Sequence, residues 1–568
     1  MFYLTLIPNE EVCEENTMRR TRTGAAIAAL LAGGLTLTAC STDDVGGGGG
    51  DAPDSSDLSD HMVGAMEDYD VGTTFVATEP VTFSMLYRDH PNYAFSEDWS
   101  ILQDLEENHN VSFDMVNVPL SDWNDRRNLL LAAGDAPDIV PSTYVADADQ
   151  FVASGTLLPI SEYLEYMPNF TAKVDEWGLT EDLDRTRQED GSFYVLPGLL
   201  ENPKPTYTIA IRADLWEEAG LTEDPQTWEE FADQLETVAD AHPEIDYPYS
   251  DRWSMNGPIE ATLQAAAGNF GTEAGWGYGD GVTWNGSEFE YTGAQDGYRD
   301  LVGYFADLVD RGLMDPESIS QDDDAAKAKL VSGQSAAIGS NDQEILGYRT
   351  ALEEAGEDGA ELRQIVVPAG PAGDRMDAST GGRFESGIVF SSSAAESENF
   401  VAMLQYIDWL YYSDEGLEFA KWGVEGETYT VADDGTRTLA ESIDINGLNP
   451  GAPEALNTDY GYHNGVWMLA HGSTQDLLDS MLRPEVVEFR AAMNEKEVAD
   501  PGPAILMDEL EREQASLQQS SLQDIVMQNT SAFILGQRPM EEWDEYVAEL
   551  EGAGMNDYVE LVNGAAAE

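Results

Sequence analysis

VTFSMLY (81–87), VSFDMVNV (111–118) and NDRRNLLLAAGDAPDIV (124–140) decide the fold. In the first, Val81, Phe83, Met85 and Tyr87 fall on one face at the period of two that marks a half-buried strand. A helical stretch from about Trp99 to Glu107 separates it from the second strand. The third segment carries a helix into a short buried strand at Asp138–Val140. Strand, helix, strand, helix, strand predicts an α/β layered fold on a largely parallel sheet.

A second α/β region begins near TYTIAIRADLWEEAGL (206–221). Thr227 is an N-cap candidate with Glu230 three residues on, the spacing of a capping box. Trp228, Phe231, Leu235 and Val238 then share one helical face. Another amphipathic helix runs through Tyr298, Leu301, Val302, Phe305, Leu308 and Val309 and stops at Gly312. Residues 268–291, rich in Gly and aromatics, read as loops and a hairpin, and PMEEWDEYVAELEGAG (539–554) as a closing helix in which Trp543 and Tyr546 are core, like Trp228. There is no tandem repeat.

Upstream, Arg19, Arg20 and Arg22 precede a short apolar run from Gly24 to Leu37, and the stretch ends Leu37-Thr38-Ala39-Cys40. A positive start, an apolar centre and small residues make a secretory signal, too short to span a bilayer comfortably. The last four residues resemble a bacterial lipobox, which implies that residues 1–40 are a signal peptide, that Cys40 is lipidated, and that the anchor is a diacylglycerol with palmitate-type chains. One acyl chain alone anchors only marginally. The acidic start MFYLTLIPNEEVCEENT is unlike a signal, so translation is expected to begin at Met18. Residues 41–77, opening STDDVGGGGGDAPDSSDLSD, read as a disordered acidic Gly/Ser tether.

The chain has 568 residues, room for two or three domains. Asp+Glu 109 against Lys+Arg 27 gives a formal charge of -82. Such a polyanion is repelled by nucleic acid and by anionic lipid, which excludes both as docking partners. Because the acids are spread along the whole chain, they predict a halophilic surface whose self-repulsion is screened by salt. Cys13 and Cys40 cannot make a disulfide framework.

Several segments, in order, resemble the large extracellular solute-binding family that includes the maltose-binding proteins, and its long lipoprotein branch in particular. They are LAAGDAPDIVPSTYVADADQFVASGTLLPI (131–160), SFYVLPGLL (192–200), TYTIAIRADLWEEAGLTEDPQTWEEFADQL (206–235), LVDRGLMDPES (308–318), KLVSGQSAAIGS (329–340) and FILGQRPMEEWDEYVAELEGAGMNDYVELVNGA (533–565). The resemblance covers nearly all of residues 78–568. It implies a two-lobed periplasmic-binding-protein-like α/β fold with mostly parallel sheets, hinge strands and an interlobe ligand cleft. The first lobe is expected to be 78–206 plus about 383–415, and the second 207–382 plus about 416–568. Function follows as expectation: a monomeric, lipid-anchored component of an ABC importer at the outer face of the cell membrane. It captures a carbohydrate, an oligosaccharide, and hands it to the permease.

Sugars present apolar ring faces fringed by hydroxyls, so aromatic platforms and planar polar side chains are the matching chemistry. By resemblance the first strand's loop offers Tyr87, Arg88 and Asp89, the loop after the Asp138 strand offers Ser142 and Tyr144, and the hinge offers Tyr207. The second lobe adds Arg252, Trp253 and Asn256, then Asn269, Trp276, Asn341 and Asp342. The return crossing at GGRFESGIVF (381–390) adds Arg383, and KWGVEGETY (421–429) adds Trp422 and Glu425. Arg212 and Asp214 read as a structural pair. TEDLDRTRQEDGSFY (180–194) lacks the EF-hand ligand spacing and reads as a turn, so no metal and no cofactor is expected.

The rival readings are a surface-bound carbohydrate hydrolase with two catalytic carboxylates, a peptide-binding importer lipoprotein, and an adhesin. The sequence has no G-x-S-x-G elbow, H-E-x-x-H or P-loop, and its six histidines lack metal-ligand spacing. An enzyme is therefore not expected.

Overall fold

A computed structural model describes residues 58–91, 94–254, 257–357 and 359–567. The signal-like stretch, Cys40, residues 41–57 of the expected tether and Asn256 lie outside them.

The first sheet runs in the order Val111–Pro119, Val81–Asp89, Ile139–Thr143, Phe384–Phe390, Leu196–Leu199. The three strands read from the sequence are parallel, with Val81 opposite Val111 and Met85 opposite Ile139. Ile139–Thr143 is buried along its whole length, as a strand covered on both faces must be. The helix Trp123–Ala133 feeds it, ending where Gly134 turns left-handed at φ 69 and donates to the carbonyls of Leu130 and Leu131.

Phe384–Phe390 enters antiparallel to both its neighbours. Gly387 sits at its irregularity, pressed on Val195 and Leu196 where a Cβ has no room. The second sheet, Ala337–Ser340, Thr208–Arg212, Leu362–Gln364, is antiparallel throughout. The two-lobed α/β architecture is therefore as expected, while its sheets are mixed and antiparallel where mostly parallel ones were expected. The reason is that returning and short strands pair beside the strands that open each lobe.

Each sheet has its own core. The first gathers Phe83, Met85, Ile139, Phe390 and the wholly buried helix Phe400–Tyr412. That helix tolerates Asp408 because Tyr69, Asn169 and the backbone of Phe170 all donate to its carboxylate. The second gathers Ile209, Ile211, Trp228, Phe231, Phe305 and the C-terminal helices through Trp543, Tyr546 and Val562. Thr227 accepts from the Glu230 backbone at 3.1 Å, and Gly312 takes φ 69 after the helix Asp296–Asp310, as the sequence predicts.

The chain passes between cores three times. Leu199 packs in the first and Ile209 in the second; Met376 in the second and Ile388 in the first; Met481 in the first and Phe489 in the second. Two expectations need correction. Residues 416–481 belong to the first lobe, because Trp422, Tyr429, Ile443, Leu456, Tyr462 and Trp467 are buried in its core. Residues 58–77 are not tether: Leu58, Ala65, Phe75 and Ala77 pack in that core, and His109 Nδ1 bonds to the Phe75 carbonyl at 2.6 Å.

Candidate binding cleft

The crossing segments are tied together. Lys204, on the first, forms an ion pair with Glu385, on the second. Arg383 donates to the carbonyls of Trp177 and Glu201 at 2.9 and 3.4 Å and pairs with Asp182 at 3.3 Å. Asn494, past the third, donates to the Pro203 carbonyl at 3.0 Å. This braid makes the floor between the lobes.

Above it, on the second lobe's side, the Tyr207 ring meets Trp276 at 4.9 Å and Trp253 at 5.4 Å, both edge-on, and the two indoles lie 5.7 Å apart. Trp253 holds a left-handed φ of 62, a costly conformation for a bulky residue. It is held there by Asp323, which accepts from its backbone at 3.1 Å, and by Arg252 stacked 4.5 Å over its ring. Trp276 stays 37% exposed. Across the gap Tyr144, 58% exposed, opens the helix Val145–Val152 at the end of Ile139–Thr143. The Tyr207 hydroxyl lies in the field of Tyr144, Asp342, Glu385 and Glu344, and with burial they raise its pKa. Residues of both lobes thus converge on one space.

Its charges are unevenly placed. Burial works to raise the Glu385 carboxyl, but Lys204, His471 and Lys421 outweigh it and hold it below the ordinary range. Burial and Lys204 push the Lys421 ammonium down to about 7, against Glu385. His471 is pushed down to about 4 by burial, and it bonds to Ser386 at 2.9 Å. A second group, of carboxyls, also draws on both lobes. Burial with Asp377 and Asp280 lifts Glu273 to about 8. Asp149 of the first lobe is lifted by burial to about 6, while Arg512 of the second donates to its backbone carbonyl at 3.3 Å. A cavity of about 260 Å³ opens between Asp342 and Leu346 on one lobe and Asn446, Asn457 and Arg483 on the other.

Several expected ligand contacts have other work. Tyr87 is buried against Phe95, Trp99 and Trp467. Ser142 is buried and donates to the Val466 carbonyl at 3.1 Å. The terminal nitrogens of Arg252 are taken by Asp323, Glu344 and Tyr348, and Arg383 is held by the braid. Trp422 is 1% exposed, its indole N–H donating to Ser480. Asp89 accepts from the Phe95 backbone, and Asn341 accepts from Gln343 and Glu344 at a helix start. Asn269 is buried, accepting from the Arg375 backbone, and Glu425 sits in an exposed turn closed by Gly426 and Tyr429. Asp342 pairs with Arg490 at 3.2 Å but faces Tyr207. The structure brings together Arg88, Tyr144, Tyr207, Trp253, Trp276 and Asp342. Sequence reasoning missed Lys204, Glu385, Lys421 and His471. Glu385 was within sight, two residues past Arg383 on a strand whose alternate residues share a face.

Two α/β bodies on a three-crossing hinge, with an aromatic and charged cluster between them, define a two-lobed binding protein. Residues 93–415 match the model of the bacterial extracellular solute-binding protein family, and the chain belongs to that family. It is 24% identical over 524 residues, 86% of this chain and 91% of the relative, to the fructooligosaccharide ABC transporter substrate-binding protein FusA of Streptococcus pneumoniae. It is 22% identical over 350 residues, 60% of this chain and 66% of the relative, to the polygalacturonan/rhamnogalacturonan-binding protein YtcQ of Bacillus subtilis. The structure of the alginate-binding protein AlgQ2 without calcium ion superposes with TM-score 0.63 at 18% identity, covering 87% of this chain and 99% of that one.

The calcium named for that neighbour finds no fitting donor set in Thr180–Tyr194 here. Asp182 and Asp184 are engaged by Arg185 and Arg187 at 2.7 and 2.8 Å, and Asp190 accepts from Ser192 and Tyr194. Among the described residues no group of three or more His, Cys, Asp or Glu could hold a metal ion, and no helix is long and apolar enough to cross a membrane.

Proposed function

We propose that the chain is the carbohydrate-capturing component of an ABC importer, held at the outer face of the cell membrane by a lipid on Cys40. The observation that carries this reading is the aromatic wall of Tyr207 and Trp276, backed by the buried Trp253 and facing Tyr144 across the hinge. Such faces stack on sugar rings, and closure of the lobes buries the ring edges among planar polar groups. Its near-full-length likeness to a fructooligosaccharide-binding importer component supports the same solute class. Delivery to a permease follows from that class, since a closed, loaded binding protein is the form a permease has to distinguish from an empty one.

The test is a titration of the full chain with oligosaccharides, read by intrinsic fluorescence of its tryptophans alongside chromatography of the sugar. The expected result is saturable quenching or enhancement with the sugar recovered intact. Conversion of the sugar makes the protein a hydrolase; a response to peptides alone makes it a peptide carrier. For the anchor, Cys40→Ser is expected to shift the protein from the membrane fraction to the medium.

A further inference from the structure

Arg88 is the last residue but one of the strand Val81–Asp89, at the carboxyl edge where α/β sheets take ligands. Its guanidinium lies 6.0 Å from the Trp123 ring, and its buried Nε has no hydrogen-bond partner among the described residues. Among the described residues the charged or titrating groups acting on it are Tyr144, Arg127 and Tyr87, with no carboxylate among them. In a chain with 109 acids that is a conspicuous vacancy of partners. The buried arginines Arg127, Arg212 and Arg490 each pair with a carboxylate, Asp147 at 3.1 Å, Asp214 at 2.6 Å and Asp342 at 3.2 Å, although the Nε of Arg490 is left unbonded as that of Arg88 is.

The floor behind Arg88 repeats the imbalance. Lys421 is fully buried and donates only to the carbonyls of Leu469 and His471, at 3.2 and 3.4 Å. Around His471 the described charges are Lys204, Lys421 and Arg88 against the single carboxylate Glu385. The carboxyls of Asp149, Glu273 and Asp280 are not among the groups acting on Arg88. A half-buried excess of positive charge is unfavourable until an anion completes it. A guanidinium fork is the side chain best shaped to take a carboxylate through two parallel bonds.

We infer that the cleft floor is a carboxylate subsite read by Arg88, and that the captured solute is an acidic, hexuronate-containing oligosaccharide. This rests on the carbohydrate reading above and narrows it. The overall charge does not forbid it: at roughly 1 M salt the Debye length is about 3 Å, so the acidic surface is screened while the buried floor is not.

Calorimetric titration of the full chain at fixed NaCl tests it, using matched pairs of oligogalacturonate, oligoalginate and oligoglucuronate with their carboxyl-reduced forms, and a neutral fructooligosaccharide. The expected result is that at least one acidic sugar binds about tenfold or more tighter than its reduced form. Arg88→Gln is expected to abolish that preference, Arg88→Lys to retain part of it, and the exposed Arg299→Gln to leave it intact, with thermal melts confirming that each variant is folded. Equal or tighter binding of the neutral member in every pair overturns the inference and leaves the carbohydrate reading standing. So does a preference that survives in folded Arg88→Gln. Binding of no saccharide at all overturns both.

Discussion

Trp276 and Trp422 carry the same indole into opposite settings, one 37% exposed at the cleft and one 1% exposed in the first core. Trp276→Ala is expected to weaken saccharide binding roughly tenfold or more, by about 1–2 kcal/mol, with the melting temperature unchanged. Trp422→Ala is expected to cost about 3–5 kcal/mol of stability and leave the affinity of the folded fraction unchanged; denaturant unfolding beside titration separates the two. Composition could not tell these residues apart, since both sit in Gly-rich, polar surroundings in the sequence. Glu273 yields a pH test. Burial lifts its carboxyl from 4.5 to about 8, so the folded state holds a proton the unfolded chain has released. Its contribution to stability is full below about pH 4.5 and lost as pH rises toward 8. Glu273→Gln, neutral throughout, is expected to match the parent at about pH 4 and exceed it by about 1–2 kcal/mol near pH 8.5, the full shift being discounted for the water the carboxyl retains. Parallel stability profiles would remove that account.

At the scale of elements, what was legible was local. The period-two faces of Val81–Asp89, the Thr227 cap and the Gly312 stop depend on residues a few positions apart, and they stand where the sequence puts them. What was illegible was membership. Whether the helix Asp414–Trp422 joins one lobe or the other is decided by contacts with residues hundreds of positions away, such as His109, whose ring lies 5.8 Å from Phe419, and Lys173, which pairs with Asp414 at 2.6 Å, and the segment's own pattern is the same either way. The segment 58–77 misled for a related reason: its Gly and Asp resemble those of the preceding tether, while Phe75 and Leu58 are too few to show as a periodic run. Phe75 is fully buried, meeting Tyr69 and Tyr406 edge-on at 6.3 and 6.2 Å. Phe75→Ala is expected to destabilise the first lobe by about 3–5 kcal/mol in urea unfolding; no change would return the segment to the tether. In the cleft, the resemblance pointed to Tyr144, Tyr207 and Trp253, which the fold brings near one another. The Lys204–Glu385 pair was not, because its partners lie on different crossings and meet only in the fold.

For the whole molecule, a formal charge of -82 spread along the chain opposes compaction. Stability is expected to rise steeply with NaCl up to about 1 M, where the Debye length is about 3 Å; a melting temperature flat in salt would show that the acids are already balanced. Among the described residues each lobe has its own core, three short crossings join them, and residues from both lobes form the aromatic and charged cluster beside those crossings. The proposed function gives that arrangement a mechanical consequence: the lobes are expected to close over a sugar. Small-angle scattering of the full chain, bare and at a sugar concentration shown by titration to saturate, measures closure directly. The account predicts a smaller radius of gyration and a shortened distance distribution with sugar bound; superimposable profiles at saturation would contradict it.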